Sequence, residues 1–359
     1  MKQGHKRLTP KSEPERTYSV AVVATMSAGK STLLNAMIGR RLLPARNEAC
    51  TASVCRIEDR DELPAFRGRS KVAGKWGRWK TPVSSEVLQM WNDTSHDEIS
   101  IEGNIKTIAN THNGYRVVFI DTPGPNNASC EDHAKITQRV IDEADFSSIV
   151  FVVNASVAGV EDEWRLLSRL QQVYSSTQKK SRIIFAVNKI DLLDAEHGES
   201  VVDVLKACEA HLRGIGFHNP VVVPLCSDLG LSIRQMRAAK VKYKRGKDKP
   251  SPPRGQRKNL YEAVESPRAQ ARLRRQIETF LAQRTFYRNG ISYSAEGAKA
   301  LSRIEHTRVK SSGRILLGGK FFKESDLRSA EKLSGIPVLE ILLQQDLNAF
   351  ANKKEGVKG

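Results

Sequence analysis

Long apolar runs are missing from this sequence of 359 residues. Its longest ones, such as IVFVV at 149–153 and IIFAV at 183–187, have five residues each, whereas a helix that spans a membrane needs about 20. The first 16 residues, MKQGHKRLTPKSEPER, also lack the apolar stretch of a signal peptide. The sequence therefore predicts a cytoplasmic protein with a disordered tail over 1–16, which could act at the periphery of a membrane or of the nucleoid.

Paired cysteines are missing as well. The five cysteines are odd in number and include no CxxC pair, so neither a disulfide framework nor a zinc site is expected. Reduced, buried thiols are predicted instead. The positions are Cys50, Cys55, Cys130, Cys208 and Cys226.

Acidic residues become scarce after residue 230. Residues 1–230 contain 29 Lys+Arg and 28 Asp+Glu, a net charge of +1, whereas residues 231–359 contain 29 and 12, a net charge of +17. The formal charge of +18 therefore belongs almost wholly to the C-terminal third. Such an asymmetry indicates an anionic partner for that part of the chain.

Residues 18–39, YSVAVVATMSAGKSTLLNAMIG, combine a β-branched run, a glycine-containing turn and apolar residues at helical spacing. This succession is typical of a phosphate-binding loop, where backbone N–H groups and a helix N-terminus converge on phosphate. Lys30 is placed to reach the β- and γ-phosphates, and the Ser31 hydroxyl to bind Mg²⁺. Ala24 replaces the first glycine of the pattern and adds only a methyl group at the turn. The substitution does not disqualify the loop, because the amides that meet phosphate come mainly from Ser27 to Ser31. Taken alone, the turn could be a chance GKS at the start of a helix.

Further nucleotide motifs follow in order at the ends of predicted strands. The strand at 115–120 runs into DTPG, where the carboxylate of Asp121 can hold the Mg²⁺ shell through water and the amide of Gly124 can meet the γ-phosphate. Strands are also predicted at 149–153, 182–187 and 221–224. The order predicts an α/β P-loop GTPase domain with a mostly parallel sheet, helices on both faces and a basic insertion.

The base is predicted by NKID at 188–191. The carboxylate of Asp191 can accept hydrogen bonds from N1–H and the 2-amino group of guanine, whereas adenine would present an acceptor there. The stem of Lys189 can lie on the purine face, and a backbone amide near Cys226 and Ser227 could contact guanine O6. The predicted nucleotide-binding residues are Ala28, Gly29, Lys30, Ser31, Thr32, Asn188, Lys189, Asp191, Cys226 and Ser227.

Together these motifs resemble the GTPase domain of bacterial dynamin-like proteins. The resemblance rests on SAGKSTLLNAMIG, LLP, ACTA, DTPGPN, NKID and, near the C-terminus, SGIP at 334–337. It covers roughly 17–228 and 331–350 and is weak from 229 to 330. It implies a switch that hydrolyses GTP to GDP and phosphate with Mg²⁺, on an anionic surface that is a membrane or a nucleic acid.

The resemblance also implies roles for single residues. Thr51 matches the switch threonine that coordinates Mg²⁺ and helps to place the attacking water, and Ser27 matches the serine that helps to hold K⁺ or Na⁺ near the β–γ bridge. Met26 stands where eukaryotic dynamins have a glutamine, and Pro125 stands where Ras-type proteins have the glutamine that orients water. Because both glutamines are missing, slow basal turnover is expected. The implied catalytic residues are Ser27, Lys30, Thr51 and Gly124. The implied metal ligands are Ser31, Thr51 and Asp121.

Five segments are expected along the chain. They are a tail at 1–16, a GTPase core at 17–228 with an insertion at 59–98, a basic insertion with a helical segment at 229–330, a closing helix at 331–352 and a tail at 353–359. Dynamins continue after the closing helix into a stalk, which is not evident here. A stalk-bearing protein is therefore a possible partner. Dimerisation through the GTPase domain is expected for another reason, since a second domain packed across the nucleotide could help to place the attacking water.

Two segments lie outside the resemblance. The tryptophan-rich insertion at 59–98 is either a surface for a partner or a folded appendage. The stretch at 234–258 has 11 Lys+Arg and several prolines, which predict a loop or disordered arm that contacts acidic lipid or nucleic acid, or else a solvated insertion. After it, Ser266 and Pro267 predict the start of a helix. Its inward residues are expected to be Leu273, Ile277 and Leu281.

Two other functions stay open. An RNA- or ribosome-associated assembly GTPase would use the basic C-terminal part, although such proteins usually have a Pro-Asn pair where this chain has Met26-Ser27. A weakly hydrolysing nucleotide-binding module that pairs with a stalk-bearing partner is the second.

Overall fold

The computed structural model of the protein describes residues 16–24, 27–44, 54–94, 96–105, 115–122, 146–156, 161–176, 181–242, 244, 249, 260–263, 265–306 and 313–356. Within these ranges, nine strands form one sheet in the order β4-β3-β5-β2-β6-β1-β7-β8-β9. The strands are β1 (Arg16–Ala24), β2 (Val54–Asp59), β3 (Arg67–Val72), β4 (Lys75–Trp76), β5 (Glu98–Gly103), β6 (Tyr115–Asp121), β7 (Ser148–Asn154), β8 (Arg182–Asn188) and β9 (Val221–Leu225).

The strands β6-β1-β7-β8-β9 run parallel. Every residue of β7 is buried, and β1 is buried from Val20 to its end, because helices cover a parallel sheet and leave neither face to water. Parallel strands end at one edge, where Asn188 of β8 aligns with Asn154 of β7 and Leu225 of β9. The predicted α/β fold class is confirmed, with the nucleotide motifs at this edge.

Ten α-helices lie in the described ranges. They are α1 (Lys30–Ile38), α2 (Ser85–Asp93), α3 (Glu161–Ser176), α4 (Val201–Ile215), α5 (Ser227–Ala238), α6 (Pro267–Ala282), α7 (Arg284–Ile291), α8 (Ala295–His306), α9 (Glu324–Leu333) and α10 (Ile336–Gly356). As predicted, Ser266 caps α6 by accepting the Ala269 N–H, and Leu273 and Ile277 are buried while Leu281 is half-buried against the core. Among these helices, none combines the length and the apolar character needed to traverse a bilayer.

The segment at 59–98 is a folded extension of the sheet. β3 pairs antiparallel with β5, and β4 pairs with β3, so that this hairpin forms one margin of the sheet. Helix α2 buries Leu88 and Trp91 beneath it. Trp76, in contrast, is 38% exposed on β4.

Residues after β9 fold onto the same core. They form a second, four-stranded sheet of β10 (Val241–Lys242), β11 (Leu260–Glu262), β12 (Arg314–Leu317) and β13 (Lys320–Lys323). The closing helix α10 lies across the first strand, because Tyr18 donates a hydrogen bond to Asp346 and Phe350 packs edge-on against Tyr18 and Tyr115. This helix runs from Ile336 to Gly356, whereas the sequence predicted 331–352. Residues 331–333 belong instead to α9, which ends before the turn at Gly335.

The expected arm does not begin at Arg234, and that part of the prediction is wrong. Helix α5 begins at Ser227, runs past the predicted end of the GTPase core at residue 228 and continues to Ala238. Arg234 and Arg237 therefore lie in its last two turns. The Arg234 side chain is only 9% exposed, and both arginines pair with carboxylates of α9 and α10. Residues 243, 245–248 and 250–258 of the arm lie outside the described residues.

Candidate nucleotide-binding site

The turn between β1 and α1 brings its backbone close to the end of β8. Ser27 and Gly29 both have positive φ angles, 59° and 92°. A Cβ atom on Gly29 would lie 2.4 Å from Nδ2 of Asn188, so glycine is required here. Helix α1 begins at Lys30, and the N–H groups of a first helical turn have no partner within the helix. This geometry suits phosphate, and Ser31 and Thr32 follow in the same turn.

Lys30 and Asp121 place opposite charges together at the ends of β1 and β6. They are 8% and 2% exposed, and Nζ of Lys30 donates to Oδ1 of Asp121. The next residue, Thr122, donates from its hydroxyl to the carbonyl of Val22 at 3.0 Å and so ties the two strand ends together. A carboxylate at this position, with the Ser31 hydroxyl beside Lys30, offers the oxygen donors that Mg²⁺ prefers. The site residues described therefore fit that ion.

Asn188 connects the two halves of the predicted site. It is 2% exposed, and its Nδ2 donates to the carbonyl of Ala28 at 2.8 Å. Its Oδ1 accepts from the amide of Ser227 at 3.0 Å and from the Ser227 hydroxyl at 2.8 Å. One side chain thus holds the phosphate-binding turn against the residues that follow β9.

The predicted base-recognition residues meet beside Asn188. Lys189 has a left-handed backbone (φ 66°), and Asp191 lies in the 3-10 turn that follows it. Burial raises the pKa of the Cys226 thiol, and the nearby charge of Asp191 and a hydrogen bond to it raise it further. The thiol is therefore neutral and can serve as a donor to that carboxylate. As predicted of reduced thiols, Cys55, Cys208 and Cys226 are free and buried; Cys50 and Cys130 lie outside the described residues.

Two amides expected to reach guanine O6 are already used inside the protein. The Cys226 N–H donates to the carbonyl of Ser334 at 2.8 Å, and the Ser227 N–H donates to Asn188. The structure therefore does not support a role for these two N–H groups toward the base. The next amide, that of Asp228, has no hydrogen-bond acceptor among the described residues.

Two of the predicted site residues, Thr51 and Gly124, lie outside the described residues, as does Met26. The structure therefore brings together the phosphate-binding turn, Asp121 and the base-recognition residues, while the predicted switch threonine and its γ-phosphate amide stay predictions.

A family model for the dynamin family matches residues 20–190. This range runs from β1 through the whole phosphate-binding turn to Ile190 of NKID. Residues 20–190 belong to a dynamin-family GTPase domain.

Curated relatives are distant and longer than this chain. A dynamin-1-like protein of Danio rerio is 22% identical over 208 residues, 52% of this chain and 29% of its own length. An uncharacterized protein in the xynA 3′ region of Caldicellulosiruptor sp. (strain Rt8B.4) is 25% identical over 195 residues, 52% of this chain and 44% of its own. The chain thus spans less than half the length of either relative.

Solved structures with a similar fold include an oligomerised bacterial dynamin pair described as a mechanism for long-range sensing and tethering of membranes. One of its chains has 13% identity and a TM-score of 0.46, over 81% of this chain and 42% of the other. Aquifex aeolicus Era bound to GDP and aluminium fluoride has 19% identity and a TM-score of 0.33, over 59% of this chain and 52% of its own.

The C-terminal part packs against the predicted base-recognition residues. Gly335 has a φ of 76°, and a Cβ atom there would lie 2.0 Å from the carbonyl of Pro224, so the turn before α10 closes tightly over β9. From α7, Tyr287 stacks on Phe280 with ring centroids 3.8 Å apart. Burial is the main cause that raises the pKa of Tyr287, and the nearby carboxylate of Asp191 raises it further.

Arg234, in α5, connects its own helix with α1, α9 and α10. Its guanidinium forms a two-pronged pair with Glu340 of α10 at 2.6 and 2.9 Å and pairs with Glu331 of α9 at 2.8 Å. It also donates to the carbonyl of Ala36 at 2.8 Å, near the end of α1. Burial alone would lower the pKa of Arg234, but the charges of Glu340 and Glu331 outweigh it and raise the pKa. The helix that follows the phosphate-binding turn is thus fixed to the C-terminal helices.

Sequence reasoning missed Tyr287, Arg234 and the hydrogen bond from Cys226 to Ser334. The SGIP match at 334–337 was the available signal for the last of these. Nothing local marks the other two, because Tyr287 follows an ordinary amphipathic helix and Arg234 stands at the start of a basic stretch.

Proposed function

We propose that this chain binds GTP with Mg²⁺ and hydrolyses it to GDP and phosphate. The observation that carries the proposal is the Asn188 bridge, because it holds the phosphate-binding turn at a set distance from Asp191. A nucleotide needs both ends of such a site at once. A chance GKS turn would have no reason to be anchored to a guanine-recognition motif.

The charged pair at the strand ends supplies the phosphate end of the site. Lys30 is held by Asp121 and is directed at the carboxyl edge of the sheet, so its ammonium group can exchange a carboxylate oxygen for β- and γ-phosphate oxygens. Asp121 and Ser31 would then hold Mg²⁺, which neutralises phosphate charge when bound. Thr51 and the Gly124 amide are proposed to place the attacking water and the γ-phosphate.

Guanine selectivity is assigned to Asp191, whose carboxylate accepts from N1–H and the 2-amino group. The Cys226 thiol, as a neutral donor, would orient that carboxylate. Because the amides of Cys226 and Ser227 are engaged within the protein, the amide of Asp228 is the better candidate for guanine O6.

A test of hydrolysis is phosphate release from GTP at several protein concentrations. Lys30→Ala should abolish nucleotide binding, because phosphate charge is left uncompensated, and Thr51→Ala should bind GTP yet lose about 100-fold or more in turnover. Lys206→Ala, an exposed lysine on α4, is the matched control and should behave as the unaltered protein. Equal turnover by Lys30→Ala and Lys206→Ala would refute the proposed site.

A monovalent cation is proposed to assist catalysis through Ser27. Turnover should fall when K⁺ and Na⁺ are replaced by a large organic cation at the same ionic strength. Turnover that is indifferent to this exchange would remove the cation from the mechanism. A rise in specific activity with protein concentration would support the proposed dimerisation through the GTPase domain.

The domain is further proposed to act as a dynamin-like switch on an anionic surface, with a stalk-bearing protein as a possible partner. The basic residues from 242 to 258 remain candidates for contact with acidic lipid or nucleic acid, apart from Lys249, which pairs with Glu262; Arg234, Arg237 and Lys240 do not, since each lies against a carboxylate. Deletion of 244–258 should spare GTP binding. If it leaves the salt dependence of binding to vesicles and DNA unchanged, the arm is a solvated insertion.

A further inference from the structure

One face of the β3–β4 hairpin carries stacked cations and indoles. Cζ of Arg69 lies 4.6 Å from the ring centroid of Trp76 and 4.4 Å from that of Trp79. Cζ of Arg67 lies 4.6 Å from Trp79, and Nζ of Lys71 lies 5.7 Å from Trp76. The three cations share a face because they occupy alternate positions of β3. The contacts hold the two indoles in place along the margin of the sheet.

The hairpin is strongly basic. Residues 63–85 contain no Asp or Glu, whereas 67–80 contain six Lys+Arg. Three carboxylates of the neighbouring β5 segment lie beside it: Glu102 pairs with Arg67, Glu98 lies 3.9 Å from Lys71, and Asp97 accepts the Gly74 N–H. The remaining cations have no carboxylate partner among the described residues. These are Arg69, Lys75, Arg78 and Lys80.

The tip of the hairpin is apolar. Val72 pairs with Lys75 across the two-residue turn of Ala73 and Gly74, whose φ angles are 48° and 76°, as in the tight turns that join twisted strands. Val72 is 53% exposed and Trp76 is 38% exposed. Val72 and Trp76 are therefore both exposed near the tip, on opposite faces of the hairpin, with Lys71 and Lys75 beside them.

We propose that this hairpin binds the surface of an acidic phospholipid bilayer, with Val72 and Trp76 entering the headgroup region and the surrounding lysines and arginines contacting lipid phosphates. Indoles favour the membrane–water interface because one part of the ring is apolar and the N–H is polar. Juxtaposed cations are attracted by the negative potential of acidic lipids. The exposed apolar side chains thus match the interfacial layer of the bilayer, and the cations beside them match its phosphates.

Single-stranded nucleic acid fits the hairpin less well. Base stacking needs open aromatic faces, whereas the rings of Trp76 and Trp79 are each contacted by two cations. The exposed valine at the tip also offers no contact that favours a nucleic acid.

The hairpin is separate from the nucleotide-binding residues. Three strands lie between β3 and β1, which at about 4.8 Å per strand puts the hairpin about 19 Å from β1. The inference does not depend on GTP hydrolysis. It concerns residues distinct from the 244–258 arm, and the two can be tested apart.

The first experiment measures partitioning of the full chain onto phosphatidylcholine vesicles with and without phosphatidylserine. Each basic residue near an acidic membrane contributes about fivefold to binding, so the double variant Lys75→Gln and Arg78→Gln should bind acidic vesicles about 25-fold more weakly. The control neutralises two exposed lysines elsewhere, Lys299→Gln and Lys353→Gln, which removes the same charge. It should lose less than about threefold.

The second experiment reports insertion of the tip. Tryptophan emission should shift to the blue on addition of acidic vesicles and be quenched by brominated lipid. Trp76→Phe should remove most of that response, whereas Trp164→Phe, which replaces a residue of similar exposure (40%) on α3, should keep it. Circular dichroism and GTP binding show that each variant is folded.

Equal binding by the hairpin double variant and the control would overturn the proposal. So would an unchanged emission response in Trp76→Phe, because the tip then stays in water. The hairpin would be assigned to nucleic acid instead if the unaltered protein bound single-stranded DNA but not vesicles at the same salt, and the hairpin variant lost the DNA binding.

Discussion

The bridge made by Asn188 allows a sharp test of how the site is held together. Asn188→Asp keeps the side chain's size and its two accepted hydrogen bonds from Ser227, but it replaces the Nδ2 donor with an oxygen that faces the Ala28 carbonyl at 2.8 Å. A lost hydrogen bond costs about 0.5–1.5 kcal/mol, and a buried carbonyl left without a donor costs about 1–3 kcal/mol more. The sum is about 1.5–4.5 kcal/mol.

Before it can bind GTP, the Asn188→Asp variant must return the phosphate-binding turn to its native position, and this costs the free energy just given. Since about 1.4 kcal/mol is a factor of ten, the affinity of Asn188→Asp for a fluorescent GTP analogue should fall about tenfold or more. The defect should shrink at low pH, because a protonated carboxyl group can again donate to Ala28. Ser227→Ala, which removes one of two donors to Asn188, should have a smaller effect.

Helix α1 offers a matched control. Asn35 is also buried, donates to one carbonyl (Leu43) and accepts from two amides (Leu42 and Leu43) at 2.8 Å, but it anchors the far end of the helix. Asn35→Asp should lower the melting temperature about as much as Asn188→Asp while leaving GTP affinity within about threefold. If Asn188→Asp binds GTP as tightly as the Asn35→Asp control, the bridge does not position the phosphate-binding turn.

Three further predictions follow from the structure. Asp191→Asn should shift preference from GTP toward xanthosine triphosphate, whose 2-position carbonyl can accept from the new amide; unchanged GTP affinity in competition binding would remove Asp191 from the base site. Arg234→Ala should lower the free energy of unfolding by about 3–5 kcal/mol, because it breaks the buried two-pronged pair with Glu340. Adding Glu340→Gln should recover part of this in denaturant titrations, and a loss below about 1 kcal/mol would show that the pair is not buried in solution. Burial raises the pKa of Asp59 to about 7, so its folded form binds the proton more tightly than the unfolded chain, and stability should fall as pH rises through about 7; Asp59→Asn should flatten that dependence in melts from pH 5.5 to 8.5, and an unchanged slope would contradict the assignment.

The sequence by itself determined the five parallel strands that carry the nucleotide motifs and their order along the chain. Tyr18 to Val23, Arg182 to Val187 and the helix after Gly29 were predicted because burial on both faces and helical periodicity leave local patterns in the chain. The common edge of the nucleotide motifs followed as well, since parallel strands end together. The closing helix was recognisable from Pro337 and the apolar spacing behind it.

Only the tertiary structure decided which side chains hold these elements together. Asn188 bonds to residues 160 and 39 positions away, and Arg234 pairs with a carboxylate 106 positions away, so no local pattern marks either contact. Composition alone placed Arg234 in a solvated arm, because a charge count does not include the partners that folding supplies. The use of the Cys226 amide by Ser334 was hidden for the same reason: hydrogen bonds between distant segments form only once the chain is packed.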